Sequence, residues 1–209
     1  MYDYQQVITM LRSAYSRESA EKRNNAEKEG WKVVERQQFL ALLQQEAKTT
    51  LLEIGAGTGT DSLFFQNNGL RVVCTDLSPA MIALCREKGL EAYMMDFLNL
   101  DFAPASFDAV YALNCLLHVP GADLPAVLQK IHGLLRPGGL FFLGVYGGTE
   151  KEGMHEHDNH IPPRFFSHHT DEFMQCVTAP FFDLVSFKAV PLVDSAWHFQ
   201  AMTLRRKGL

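Results

Sequence analysis

The 209-residue chain contains no apolar run approaching the roughly 18 residues that a membrane-spanning helix needs. Its opening, Met1-Tyr2-Asp3-Tyr4-Gln5, lacks the basic and apolar blocks of a secretory leader. Cysteine is sparse: Cys74, Cys85, Cys115 and Cys176 are widely separated and form no CxxC pair. That spacing excludes a disulfide scaffold and predicts reduced thiols in a cytoplasmic protein. Positive charge is also short, with 19 Lys and Arg against 24 Asp and Glu and a net charge of −5. No basic face is evident, so nucleic acid and membrane surfaces are excluded as expected partners. The short Arg205-Arg206-Lys207 run reads as a solvated strand end. Repeats, low-complexity tracts and Pro/Gly/Ser linkers are missing too, which leaves one domain.

What is present has two grammars. Over residues 3–28, Tyr4, Val7, Ile8, Leu11 and Tyr15 recur at helical spacing, followed by a charged stretch and Gly30. A second helix then carries Phe39, Leu40, Leu43 and Ala47, so residues 1–47 are read as a helical cap belonging to the same domain as 48–209. From residue 50, β-rich runs (50–54, 71–75, 91–95, 107–113, 140–146) alternate with amphipathic stretches near 60–68, 79–88 and 122–135. This alternation predicts an α/β fold, with a mostly parallel sheet covered by helices on both faces. Residues 148–167 read as irregular, Thr170-Asp171-Glu172 as a helix start, and 181–190 and 197–205 as two closing strands.

The stretch Leu51-Leu52-Glu53-Ile54-Gly55-Ala56-Gly57-Thr58-Gly59-Thr60-Asp61 is the most informative. An apolar strand enters three alternating glycines and then a helix, which permits a tight turn and close approach of a ligand to bare backbone. Asp76 ends the next strand, where a carboxylate can accept both hydroxyls of a ribose. It could instead cap the helix after Asp76-Leu77-Ser78-Pro79. Asp96, followed by Phe97, can accept from an adenine amino group while the ring supplies apolar contact; the alternative is a plain loop aspartate.

Together Glu53–Gly59, Asp76–Met81, Asp96-Phe97, Ser106–Val110 and Leu135–Leu140 resemble the class I S-adenosylmethionine-dependent methyltransferases, in order over about residues 48–146. The resemblance implies a Rossmann-like seven-stranded sheet of order 3-2-1-4-5-7-6, the last strand antiparallel. It implies S-adenosylmethionine as cofactor, held by Glu53, Gly55, Gly57, Gly59, Asp76, Leu77, Met81, Asp96, Phe97 and Asn114. The acceptor then faces the ends of the fourth and fifth strands. There Asn114-Cys115-Leu116-Leu117 replaces the Asn/Asp-Pro-Pro-aromatic motif of enzymes that methylate base amines or a glutamine amide, so a small-molecule acceptor is expected.

His118 is a candidate base or a neutral loop histidine, and Tyr146 a candidate catalytic donor or substrate-site wall. Cys115 as a nucleophile is disfavoured, because nothing marks it as a lowered-pKa thiol. Five of the eight histidines lie between 155 and 169. This segment is expected to be a lid with substrate contacts from His155, Arg164 and Phe165. A plain solvated loop is one alternative, metal ligation by His155, His157 and His160 with Glu152 or Asp158 is the weakest, and no metal is expected. In the cap, Tyr15, Arg23, Trp31 and Arg36 are candidates to touch cofactor or acceptor. Two rival functions remain at this point. One is a nicotinamide-dependent oxidoreductase, weakened by Thr60 at the last fingerprint position; the other is a non-catalytic cofactor-binding module.

Overall fold

The computed structural model describes residues 2–15, 17–24, 28–155, 158–192 and 197–208; of Arg17 and Ser19 it describes the backbone alone. The N-terminal segment forms α1 (Tyr4–Ala14), α2 (Arg17–Asn24) and α3 (Gly30–Gln45). A continuous helix over 3–28 is therefore corrected: the first stops at Tyr15, whose ψ of 60° leaves the helical region. Asp3 caps α1 by accepting from the Gln5 N–H at 2.8 Å.

The alternating region supplies β1 (Thr50–Ile54), α4 (Thr60–Asn67), β2 (Arg71–Asp76), α5 (Pro79–Glu87), β3 (Glu91–Met94) and β4 (Phe107–Leu113). A single 3₁₀ turn, Leu116–His118, leads to α6 (Leu124–Leu134) and β5 (Leu135–Gly147). Next come β6 (Lys151–Met154), β7 (Phe165–His168), α7 (Asp171–Thr178), β8 (Phe182–Pro191) and β9 (His198–Arg206). Seven strands make one sheet in the order β3-β2-β1-β4-β5-β9-β8. The first four neighbouring pairs are parallel, while β9 runs antiparallel to both β5 and β8. This is the expected topology, with β8 and β9 in the places of the sixth and seventh strands.

Two differences have physical causes. The segment read as irregular contains the hairpin β6–β7, paired from Lys151↔His168 to Met154↔Phe165. Its pattern is hidden by Ser167 and His168, which are polar but buried. And β5 begins at Leu135 rather than 140, because Phe107 pairs with Leu135 before a register shift absorbs the Arg136–Gly139 turn.

Burial follows the period of two. Leu52, Ile54, Val110, Ala112, Phe141 and Leu143 face one core, joined by Val7, Ile8 and Leu11 of α1. Leu51, Ala109, Tyr111, Leu140 and Phe142 face the other, joined by Phe39, Leu40 and Leu43 of α3. Each buried Val, Leu, Ile or Phe among them contributes about 1.5–3 kcal/mol, and the cap shares both cores with the sheet. The strand order reverses between β1 and β4, so a crevice opens beyond the carboxyl ends of these strands.

Candidate functional site

The glycine turn sits at that crevice, and its three glycines do different work. All three adopt left-handed φ values, +64° at Gly55, +56° at Gly57 and +76° at Gly59. A Cβ at Gly55 would meet the Cys115 Cβ at 2.3 Å, and one at Gly59 would meet Leu90 Cδ1 at 2.6 Å. Those two positions are bare so that the turn can pack inward. Gly57 meets only Arg23 Nε, at 3.8 Å, so its open face points into the crevice.

Asp76 locks the turn from the next strand. Its Oδ2 accepts from the Gly57 N–H and its Oδ1 from the Ser78 N–H, both at 2.8 Å. Each carboxylate oxygen keeps a further lone pair beyond these bonds. Ser78, not Asp76, caps α5 through the Met81 N–H at 3.4 Å. Burial raises the Asp76 pKa, opposed by those backbone N–H bonds.

Beneath the turn, buried Glu53 accepts from Ser62 Oγ. Burial, reinforced by the neighbouring Asp61 charge, pushes its carboxyl well above the ordinary range. Asp61 itself is held by Lys28 and, at 2.8 Å, by Arg36 from the cap. This clamp between α3 and α4 was not legible as a pair, although Arg36 was a candidate; the acidic first turn of α4 was its only trace.

The crevice is a cavity of about 340 Å³ whose walls include Gly55, Gly57, Asp76, Leu77, Met81, Asp96, Phe97, Asn114, Cys115 and His118. The cap contributes Tyr4, Ile8, Leu11, Tyr15, Arg23 and Lys28. Asp96 is tied locally, accepting from the Leu98 N–H at 3.0 Å and from Asn99 Nδ2 at 2.9 Å through its other oxygen. Asn114 takes a left-handed φ of +53° and donates its N–H to the Gly144 carbonyl at 2.7 Å. Its side-chain Oδ1 is buried in the cavity wall with no hydrogen-bond partner among the described residues. Cys115 donates to the Ile54 carbonyl at 3.2 Å, and burial pushes its thiol up, so it is inert. His118, at 6% exposure, is pushed down to about 3 by burial. Burial keeps the imidazole neutral, and both ring nitrogens are engaged, Nδ1 at 2.6 Å from the Phe165 carbonyl oxygen and Nε2 at 2.8 Å from the Tyr15 hydroxyl.

Seven further expected site residues lie outside these walls. Glu53 and Gly59 support the turn from below, as described. Tyr146 packs on Phe199 and Trp31, with ring centroids 5.6 and 6.3 Å away, and its hydroxyl donates to Glu29 at 3.4 Å. Trp31 lies on Phe199, at 4.4 Å, rather than in the crevice. Phe165 is fully buried against Tyr2, so it is a core residue and its expected substrate contact is corrected. His155 packs edge-on against Phe166, with ring centroids 5.6 Å apart. Arg164 is engaged by Asp158, through Nε at 2.8 Å and Nη2 at 2.9 Å, rather than free for an anion.

The histidine-rich segment is a polar clasp. Glu150 pairs with His169 Nδ1 at 2.8 Å, and His169 Nε2 lies 2.8 Å from Ser167 Oγ. Ser167 Oγ in turn donates to Glu152 at 2.9 Å, and Glu152 accepts from the Gly121 N–H. Glu152 and Asp158 are both spent on such bonds. Among the described residues no group of three or more His, Cys, Asp or Glu is arranged to hold a metal; His157 lies outside them.

A family model described as a methyltransferase domain matches residues 51–139. The ubiquinone biosynthesis O-methyltransferase of Xylella fastidiosa (strain 9a5c) is 33% identical over 106 residues, 47% of this chain and 42% of that protein. The chain thus spans less than half the length of that curated relative. Among solved structures, the Burkholderia thailandensis 1,6-didemethyltoxoflavin-N1-methyltransferase, with its substrate and S-adenosylhomocysteine bound, matches with a TM-score of 0.74 at 24% identity. That match covers 100% of this chain and 92% of the other. The PH0226 protein of Pyrococcus horikoshii OT3 matches at 0.69 and 17% identity, over 86% and 92%. No helix among the described residues is long and apolar enough to cross a membrane. Residues 51–139 thus match a methyltransferase domain, and the chain shares its fold with a methyltransferase that binds S-adenosylhomocysteine.

Proposed function

We propose that the chain binds S-adenosylmethionine in the crevice and transfers its methyl group in line to a small-molecule acceptor. The observation that carries this is the convergence of four unlike features on one cavity: the open face of Gly57, the Asp76 carboxylate, the Asp96–Phe97 pair and the unpartnered Asn114 Oδ1. In this reading Asp76 takes the ribose hydroxyls with its remaining lone pairs. Asp96 accepts from the adenine amino group, Phe97 lies against the base, and Asn114 Oδ1 accepts from the cofactor's ammonium group. Leu77 and Met81 close the apolar side. When bound, the cofactor supplies a sulfonium-activated methyl group, whose carbon–sulfur electron pair returns to sulfur as the acceptor's lone pair forms the new bond.

The protein's own contribution is then to hold the acceptor behind that methyl and exclude water, which lowers the barrier by positioning. A small acceptor rather than a nucleic acid is favoured by the acidic balance of the chain. The ubiquinone-biosynthesis and toxoflavin relatives also point to small molecules. An oxidoreductase reading is not supported by any of these relatives. Calorimetric titration with S-adenosylhomocysteine and with NAD tests the proposal: uptake of the first and not the second is expected, and the reverse overturns it. Label transfer from methyl-labelled S-adenosylmethionine separates an enzyme from a silent binding module.

A further inference from the structure

One chain of hydrogen bonds in the cavity wall is not used by the cofactor reading, and it constrains the acceptor. His118 Nδ1 lies 2.6 Å from the Phe165 carbonyl oxygen. A carbonyl only accepts, so the proton is on Nδ1 and Nε2 is bare. The Tyr15 hydroxyl, 2.8 Å from that Nε2, is therefore the donor of their bond. Arg164 Nη1 donates to the same phenol oxygen at 3.2 Å, and Asp158 holds the guanidinium in place. The backbone of Tyr15 is fixed as well, its carbonyl accepting from Ser78 Oγ at 2.8 Å.

A phenol oxygen has one hydrogen to give and two lone pairs. At Tyr15 the hydrogen is committed to His118 and one lone pair to Arg164. What remains at the cavity wall is a single lone pair. Turning the hydroxyl round would leave the His118 Nε2 buried and unpaired, a cost of about 1–3 kcal/mol. Tyr15 therefore accepts a hydrogen bond and does not offer one.

We infer that Tyr15 Oη is the group that grips the acceptor's reacting atom through its hydrogen, with His118 and Arg164 as positioning residues that fix the direction of that grip. The acceptor class follows: a small molecule methylated at an O–H or N–H, such as a phenol or a ring N–H, rather than at carbon or at a tertiary amine, which has no hydrogen to offer. As the acceptor's lone pair forms the bond to the methyl carbon, its proton leaves past half-buried Tyr15 to solvent water, and His118, buried and of depressed basicity, orients Tyr15 without taking that proton up. The inference rests on the methyltransferase reading.

The test uses the full chain and keeps the two readings apart. Calorimetry with S-adenosylhomocysteine comes first: no uptake by folded wild-type protein defeats the methyltransferase reading, whatever Tyr15 does. Label transfer is then measured to catechol, indole and uracil, and to veratrole, 1-methylindole and 1,3-dimethyluracil. Label is expected in at least one of the first three and in none of their methylated counterparts. Tyr15→Phe is expected to lower kcat/KM at least twenty-fold while changing the S-adenosylhomocysteine Kd less than two-fold. His118→Gln, which keeps an acceptor for Tyr15 and a donor for Phe165, is expected to stay within five-fold of wild type, whereas His118→Phe falls as Tyr15→Phe does. Three results each overturn the inference: label in the methylated set, Tyr15→Phe within two-fold of wild type, or transfer to none of the six by protein that binds S-adenosylhomocysteine.

Discussion

The backbone N–H of Gly57 donates to the Asp76 carboxylate at 2.8 Å, so the residue proposed to hold the ribose also holds the glycine turn. Removing the carboxylate therefore has two effects that must be separated. Asp76→Ala loses both the ribose acceptor and the turn's anchor, whereas Asp76→Asn keeps an amide oxygen for one of them. We expect Asp76→Ala to weaken S-adenosylhomocysteine binding by about 1–3 kcal/mol and to lower the melting temperature. Asp76→Asn is expected to weaken binding while melting closer to wild type. Calorimetry and thermal melts on the two variants check this, and equal affinities in all three proteins would remove the ribose role.

The unequal surroundings of the glycines give a second prediction. Gly57→Ala places a methyl in open cavity, with a left-handed backbone cost of roughly 1–2 kcal/mol. Folding is expected to survive and cofactor affinity to fall. Gly55→Ala drives a methyl into Cys115, adding overpacking of about 1–3 kcal/mol to the same backbone cost. Chemical denaturation should therefore rank Gly55→Ala as the less stable protein.

This contrast shows how far the sequence could be read. Strand, glycines and terminal acids are local patterns, so the strands of the alternating region and the places of Gly57, Asp76 and Asp96 at or just beyond their ends were legible, while the sheet order came from the family resemblance. The hairpin was not, because His168 and Ser167 are polar residues buried by partners far along the chain, such as the Tyr146 carbonyl at 3.0 Å. For the same reason Phe165 and Arg164 looked available and are not. Their environments are set by Tyr2 and Asp158, contacts that no spacing rule encodes. Tyr15 was recognised as a candidate, but its commitment to His118 spans 103 positions and needed the fold.

The clamp on Asp61 yields a stability prediction. Its side chain is only 7% exposed and bonds to both Lys28 and Arg36. Replacing Arg36 with Met keeps the apolar stem but leaves a buried carboxylate with one cation, close to Glu53. Hydrogen bonds to charged groups are worth about 1.5–3 kcal/mol, so a loss of roughly that size is expected in urea unfolding. Asp61→Asn in the same background should restore part of it, since the unpaired charge is then gone. No recovery would mean that the Arg36 stacking on Phe64, at 3.8 Å, is what the substitution removed.

The buried imidazole of His118 predicts how stability depends on pH. An unfolded histidine titrates near 6.5, whereas His118 in the folded protein titrates at about 3. Between those values the unfolded chain binds a proton that the folded chain does not. Stability due to this group is therefore complete above about pH 6.5 and is lost as the pH falls toward 3. The slope approaches about 1.4 kcal/mol per pH unit once the unfolded histidine is fully protonated. Burial lowers His168 too, and it acts in the same direction. The raised carboxyls of Asp76 and Glu53 act oppositely, so the informative quantity is the difference between wild type and His118→Gln. Urea unfolding from pH 4 to 7 should give a variant whose stability falls less steeply on acidification. Identical slopes for both proteins would mean that His118 is protonated in the folded state and that its bond to Tyr15 runs the other way.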